Sequence, residues 1–443
     1  MKIKIQNYNQ NNNLLFNLIF CFFPVSFILG NFAVNLNIFI LILLTLIFNL
    51  KTNAHFFIDT FDKLLIFLFL YILFVGVLNF IEIYLGKYEL INFKNAEWYI
   101  ISKSFFYIRY LFLYFSIKFL VQNKIINFKY FFLTTTLLVF FVAFDILIQF
   151  IFGKDIFGYT TVSIRALSGP FGSELIAGSY LQRFFPFLFF FIFYFSQFKK
   201  KLLLVTISIF LILFAIVLSG NRMPFIMSIF AIFLIFLSEK KIRKYLITIF
   251  IFCLLIFSFT YFFNKGVKDN YNAFYGQIKK MASIFVEKKI DRKNMPYYFH
   301  EFESFYDTWQ INKYFGGSVR SFRIFCPIRE NIDVDERSTC NTHPHNYYLE
   351  IISELGIFGL LLILSVMFLL LKISLLKILN DNFKNSKILM IPFFILLITE
   401  IFPIKNTGSF FSTWNSAYIF ILIGCLSGLN LKEYIKFNKQ IGV

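Results

Sequence analysis

Charge is what this chain lacks most. Of its 443 residues only 15% are Asp, Glu, Lys or Arg, where a soluble domain carries about 25%. A water-soluble globule of this length is therefore excluded. Acidic residues are scarcer than basic ones, 24 against 43. Histidine occurs four times, and arginine only 10 times beside 33 lysines. No Walker loop, GxGxxG, HExxH or GxSxG is found, so no nucleotide site is readable and an ATP-driven pump is disfavoured. Internal repeats, low-complexity linkers and a soluble domain are also missing. What is present is apolar: 58% of residues are hydrophobic, with 70 Phe and 24 Tyr, and the mean hydropathy is +0.72. So many rings cannot stay solvated, which excludes disorder. Apolar runs of bilayer length recur along the chain, and the expected fold is all-α, a polytopic transmembrane bundle.

Phe, Ile, Asn and Lys share A/T-rich codons, so base bias accounts for the Phe load, which receives no functional weight. Twelve hydrophobic segments are expected at 13–29, 32–50, 64–81, 101–122, 130–151, 173–197, 202–219, 223–238, 245–263, 347–371, 388–402 and 409–430. With the N-terminus cytoplasmic, the inside segments hold 20 Lys/Arg. The short outside segments hold Lys87, Lys94, Lys154, Arg165 and Lys405, with Arg222 a sixth. That asymmetry puts both termini inside. A signal peptide at 13–29 is the alternative, although no cleavage site follows cleanly. The expected organisation is spans one to nine in 1–263, an external loop 264–346, and spans ten to twelve with a tail in 347–443. The lysine excess then belongs to cytoplasmic loops rather than to nucleic-acid binding.

A loop this long is functional or disordered, and its composition is not that of disorder. Phe274, Ile278, Met281 and Phe285 recur at helical spacing in 271–289, which predicts an amphipathic helix on the membrane surface or capping the bundle. Segment 297–315 also reads as helix, ended by Gly316-Gly317. Cys21, Cys253 and Cys425 fall in spans and read as packing residues. Cys326 and Cys340 share the loop; outside the cytoplasm they favour a disulfide. Free thiols, or a metal site using Cys340, His343 and His345, are the alternatives. Asp333-Val334-Asp335 is a weak metal motif inside a charged run.

Two histidines stand in Asn341-Thr342-His343-Pro344-His345-Asn346-Tyr347-Tyr348, where the loop meets span ten. Asn346 is a candidate N-cap. The helix dipole there disfavours imidazolium and attracts anions, so His345 reads as a general base beside a phosphate site. An interfacial histidine bonded to a headgroup is the structural alternative. His345 and Gly356 lie three helical turns apart, and Gly356 would let another helix approach closely. Where base bias favours Lys, a retained Arg points to a need for its bidentate fork. Arg165, Arg183 and Arg222 can all reach the outer half of the bundle. Arg183 lies inside span six, with Asp145 or Glu174 as possible structural partners.

At four places the chain resembles the superfamily of O-antigen ligases and O-antigen polymerases. They are Arg165 with Ser168-Gly169-Pro170-Phe171-Gly172; Leu218-Ser219-Gly220-Asn221-Arg222; Tyr314 to Phe322 leading to the histidine block, Glu350 and Glu354 to Gly359; and Phe402-Pro403 with Gly408 to Phe411. Asn221 departs mildly from the commoner Ser-Arg form of the second motif. The resemblance implies a GT-C-like, metal-independent, inverting glycosyltransferase of the bacterial inner membrane that needs no cofactor. The donor would be a polyprenyl-pyrophosphate-linked glycan. The acceptor would be a lipid A core, for a ligase, or a second glycan, for a polymerase. His345 would be catalytic, Arg165 and Arg222 would bind pyrophosphate with Arg183 beside them, and His343, Asn346, Glu350 and Gly356 would support the site. From another class, a lipid-linked glycan transporter remains as an alternative. Such proteins show midplane charges in paired repeats, and no repeat is visible here.

Overall fold

The computed structural model describes residues 10–430 apart from 53–56, 89, 91–92, 161–165, 197–199, 239–242, 244–250, 252–253, 256, 260, 264, 288–296, 330–339, 381–383 and 406–407. The described residues form helices and no named strand, with one isolated bridge between Lys154 and Thr160.

Helices α1 (Gln10–Cys21) and α2 (Phe23–Leu29) bury Phe16, Phe20, Phe23 and Phe27 in the bundle. Gly30 turns the chain into α3 (Asn31–Thr52). Helix α4 (Thr60–Tyr84) opens with a capping box between Asp59 and Asp62. Lys118 of α6 (Arg109–Gln122) pairs with both of those carboxylates from a fully buried position. Helix α5 (Ala96–Tyr107) precedes α6 with a break at Ile108, and α7 (Phe128–Phe152) is capped by Asn127. Helix α8 (Ala177–Phe190) runs into a π-turn at Phe191–Phe195. Helices α9 (Lys201–Leu218) and α10 (Arg222–Ser238) form a hairpin. The insertion that follows carries α11 (Lys265–Glu287), α12 (Tyr297–Ile311) and the single turn α13 (Phe322–Phe325). Helices α14 (Tyr347–Leu379), α15 (Lys384–Glu400) and α16 (Thr413–Asn430) complete the fold.

Phenylalanine fills the core where aliphatic side chains commonly stand. Phe187 of α8 meets Phe131 and Phe132 of α7 and Phe393 of α15 at centroid distances of 5.2, 5.2 and 5.0 Å. Such pairs add about 0.5–1.5 kcal/mol beyond area burial. Helix α16 is buried almost throughout and packs most extensively on α6.

Among the described residues, five helices are long and apolar enough to cross a bilayer: Asn31–Thr52, Thr60–Tyr84, Ala96–Gln122, Phe128–Phe152 and Tyr347–Leu379. Leu14–Leu29, Leu203–Leu218 and Arg222–Ser238 are shorter apolar helices. The chain is thus an all-helical, multi-pass membrane protein, with five of the twelve expected spans present as helices of spanning length among the described residues. Expected span six begins late, because Gly169 and Gly172 adopt positive φ around a 3-10 turn and helix starts only at Ala177. Expected span nine, 245–263, and Cys253 lie largely outside the described residues.

Helix α14 is not continuous. Gly356 has φ 67° and ψ −174°, a region essentially restricted to glycine. The interrupted ladder is taken over by the loop after α12. Gly317 and Ser318 N–H donate to Ser353 and Glu354 carbonyls at 3.2 and 2.6 Å. Ile357 and Phe358 N–H donate to Lys313 and Tyr314 carbonyls at 3.1 and 3.3 Å. Helix α4 secures the junction through Tyr71 Oη to Leu355 O (2.8 Å) and Asn79 Nδ2 to Gly316 O (2.9 Å). His345 stands just before the helix, as the Asn346 cap implied. The sequence reading also carried an unbroken helical face on to Gly356 and expected another helix to approach there; instead Gly356 marks a break filled by backbone.

Candidate functional site

The break in α14 sets up the site. Just beyond the docked Gly316-Gly317 turn, Ser318 and Arg320 take positive φ of 82° and 60°, a conformation costly for side-chain-bearing residues. It is held by Glu354, whose carboxylate accepts the Arg320 N–H at 2.6 Å, and by Ser104 Oγ against Ser318 Oγ at 2.6 Å. Arg320 and Arg323 are thereby turned into a cleft of about 600 Å³. Its walls come from the α2–α3 junction, Tyr159, the stretch 170–179, Pro224 of α10, the loop carrying Arg320 and Arg323 (the arginine loop), the loop carrying Thr342 and His343 (the histidine loop), Lys405 and the stretch 408–415.

Four cations line this cleft: Arg183, Arg320, Arg323 and Lys405. Arg183 is buried and forks onto Glu400 of α15, with Nε at 2.9 Å from Oε2 and Nη2 on Oε1. Nη2 also donates to Asn415 Oδ1 at 2.8 Å. The guanidinium lies 4.3 Å from the Trp414 ring centroid and 4.9 Å from that of Tyr418. The structural partner is thus Glu400, not Asp145 or Glu174 as the sequence suggested. Asp145 is turned to the Ile156 N–H, and Glu174 is exposed at the cleft. Nη1 of Arg183 has no protein acceptor among the described residues. Lys405 shares Glu400 at 2.8 Å, and burial pushes its ammonium down to about 8 despite that carboxylate. Arg323 makes no hydrogen bond or ion pair with a described residue, and its Nε is buried without one. Among the described residues, Glu174 is the one carboxylate lining the cleft beside these cations.

The histidine loop closes one side. Pro344 and Asn346 fix its exit: the Asn346 side chain accepts Tyr348 and Leu349 N–H at 2.9 and 3.3 Å and donates to Pro403 O at 2.8 Å. The entrance is tied by the disulfide between Cys326 and Cys340, which takes Cys340 out of any metal set. His343 lines the cleft, with Nδ1 3.0 Å from Thr342 Oγ1 and Nε2 unpartnered among the described residues. Burial, with the charges of His345, Arg323 and Arg320, lowers its imidazole to about 4. His345 is one ring behind, 4.6 Å between centroids, with 38% of its side chain exposed. Its Nε2 faces Glu301 of α12 at 3.6 Å.

Other expected residues fall elsewhere. Glu350 does not reach the histidines; it accepts Ser409 Oγ and the Phe410 N–H, both at 2.5 Å, and anchors the 408–410 segment. Arg222 starts α10 and does not line the cleft, although Pro224 does. Its turn is bound to α8 by Asn221, which accepts the Gly178 N–H at 3.2 Å. Arg165 and Asp333 lie outside the described residues. Arg320, Arg323, Lys405 and Glu301 were not singled out from sequence. The scarcity of arginine, applied to the Gly-Gly-Ser-Val-Arg-Ser-Phe-Arg stretch, points to the first two. Nothing local marks Glu301.

Residues 207–364, from α9 through the insertion and the histidine loop to the middle of α14, match the family described as O-antigen ligase. The match supports the superfamily of O-antigen ligases and polymerases and a glycosyltransferase-like enzyme. No curated protein matches the chain.

Proposed function

We propose that this chain, of the O-antigen ligase and polymerase type, moves a glycan from a polyprenyl-pyrophosphate donor to a sugar hydroxyl on the outer face of the bacterial inner membrane. A lipid A core is the proposed acceptor, which makes the protein a ligase. The cationic cleft beside the histidine loop carries this reading. Its cluster of Arg183, Arg320, Arg323 and Lys405 suits a pyrophosphate diester, and its apolar wall at Phe27, Ile28 and Leu29 suits the first isoprenes.

The proposed chemistry is a single displacement with inversion. An acceptor oxygen attacks the anomeric carbon, the bond from that carbon to the phosphate oxygen breaks, and its electron pair leaves on polyprenyl pyrophosphate. Charge grows on the leaving oxygen, where Arg320, Arg323 and the open Nη1 of Arg183 are placed to offset it. His345 takes the acceptor proton. His343, its imidazole held down to about 4, serves as a neutral hydrogen-bonding group toward the donor. Arg165 and Arg222 are proposed to contact the pyrophosphate, and α11 to lie along the membrane surface.

The test is transfer in proteoliposomes loaded with a polyprenyl-pyrophosphate oligosaccharide. The lipid A core and a second donor molecule are supplied in separate reactions. Product on the core, abolished in His345→Ala, supports a ligase; longer donor-linked chains, abolished likewise, support a polymerase. Undiminished product with His345→Ala removes the histidine from the chemistry. Movement of intact donor across the bilayer without transfer favours the transporter.

A further inference from the structure

Glu301 belongs to the insertion, far from the histidine loop in sequence, yet it is the residue His345 faces. The separation between Nε2 and Oε1 is 3.6 Å, and the Glu301 side chain is 12% exposed. Asn341 Nδ2 donates to the same Oε1 at 3.0 Å, which fixes the carboxylate relative to the loop carrying the histidine. Helix α12 is itself held in place: Ser304, Phe305 and Thr308 are buried, and the helix packs on α14 and on the turn holding Cys326. The Cys326–Cys340 bridge then ends one residue before Asn341. Both sides of the contact are therefore anchored to one structure.

From this arrangement we infer that Glu301 is a positioning residue, holding the His345 ring with its Nε2–H toward the carboxylate so that Nδ1 is left to accept the acceptor's hydroxyl proton. The inference rests on the transfer reading above. Three features favour it over a loop anchor alone. Nδ1 of His345 has no protein partner among the described residues, while Nε2 faces the Glu301 carboxylate at 3.6 Å. His343 lies against the ring at a tilt of 60°, with centroids 4.6 Å apart, and the charges of Arg320 and Arg323 reach His343. Among the described residues, Glu301 is the one carboxylate within 4 Å of the His345 ring nitrogens, so an imidazolium formed there faces it. Burial raises the Glu301 carboxyl, while the His345 charge and the Asn341 hydrogen bond act in the opposite direction, so the two groups sense one another. In the reaction the proton passes from the acceptor oxygen to Nδ1, the new bond forms at the anomeric carbon, and the electron pair departs on the pyrophosphate. Glu301 stays ionised and stabilises the imidazolium until the proton is lost to solvent. Catalytic hydrogen bonds of this kind are often long before substrate binds.

The experiment uses Glu301→Leu, Glu301→Asp and Asn341→Ala in the full-length protein. Nitrogen NMR of labelled histidine, assigned with His345→Gln, reports which ring nitrogen carries the proton, whether or not transfer is seen. The expected result is an Nε2–H tautomer that loses its preference in Glu301→Leu and recovers it in Glu301→Asp. In the transfer assay kcat falls about 100-fold in Glu301→Leu while the KM for donor is unchanged, and Glu301→Asp restores part of it. Asn341→Ala, which loosens the loop but keeps the carboxylate, has a much smaller effect on kcat. An unchanged tautomer in Glu301→Leu overturns the inference, and so does a joint loss of donor binding and thermal stability with kcat preserved. If the tautomer responds but the unsubstituted protein transfers no glycan, the pair stands and the transfer reading fails.

Discussion

Gly356→Ala tests whether the break in α14 builds the arginine loop. A methyl group at this position would stand 2.1 Å from Tyr314 O, 2.3 Å from Tyr314 C and 2.6 Å from Phe315 N. These neighbours are backbone and cannot rotate away. The backbone conformation itself costs a residue other than glycine about 1–3 kcal/mol. If the loop withdraws far enough to clear the methyl, the four backbone hydrogen bonds at the junction lengthen, each worth about 0.5–1.5 kcal/mol net. Losing two of them brings the total to about 2–6 kcal/mol. Arg320 lies four residues beyond Gly316, and its N–H bond to Glu354 spans the same junction, so the loss should reach the cleft. The expected result is a lower Tm in detergent together with a drop in transfer of at least tenfold. Gly276→Ala is the control: it lies in α11 with nothing within 4 Å of the added methyl, and should be neutral or slightly stabilising. A Gly356→Ala protein with unchanged Tm and unchanged transfer would refute the reasoning.

Arg323→Ala should weaken binding of a polyprenyl-pyrophosphate analogue by about 10–150-fold, the equivalent of one charge-assisted hydrogen bond, with little change in Tm because no described residue is bonded to its side chain; isothermal titration in detergent measures this. Glu400→Gln leaves Arg183 and Lys405 buried without their shared carboxylate and should cost about 3–5 kcal/mol. Adding Lys405→Met restores the local net charge and should recover part of that in thermal unfolding. His343 supplies a pH dependence. Its imidazole lies at about 4 when folded against 6.5 in the unfolded chain, so between these values the unfolded chain binds the proton more readily. Stability should be complete above pH 6.5, fall as pH drops toward 4, and lose that slope in His343→Gln when Tm is followed against pH.

Much of the architecture was legible because bilayer burial leaves a mark on every residue of a helix. The cap at Asn346 and the turn at Gly316-Gly317 are local signals that appear where the chain indicates them, and five of the apolar runs appear as helices of spanning length. Spans broken by local backbone were read less well: the positive-φ glycines before Ala177 shorten α8, and Gly356 breaks α14 inside an apolar run whose composition shows no interruption. The candidate site was legible in its types more than in its members. Arginine scarcity directed attention to Arg183, which does line the cleft, and proximity in sequence to His345 suggested Glu350, which turns to Ser409 and Phe410 instead.

The sequence by itself determined that this is a helical membrane protein and that its histidines and arginines gather in a few exposed stretches, because hydropathy and codon-biased composition are properties of the chain alone. Only the tertiary structure decided which of these groups meet. Glu400 comes to Arg183 across 217 residues, Glu354 to the backbone of Arg320 across 34, and Glu301 to His345 from a separate helix. Such pairings depend on how helices pack and where one of them breaks, and a local pattern of residue types carries no record of its distant partner.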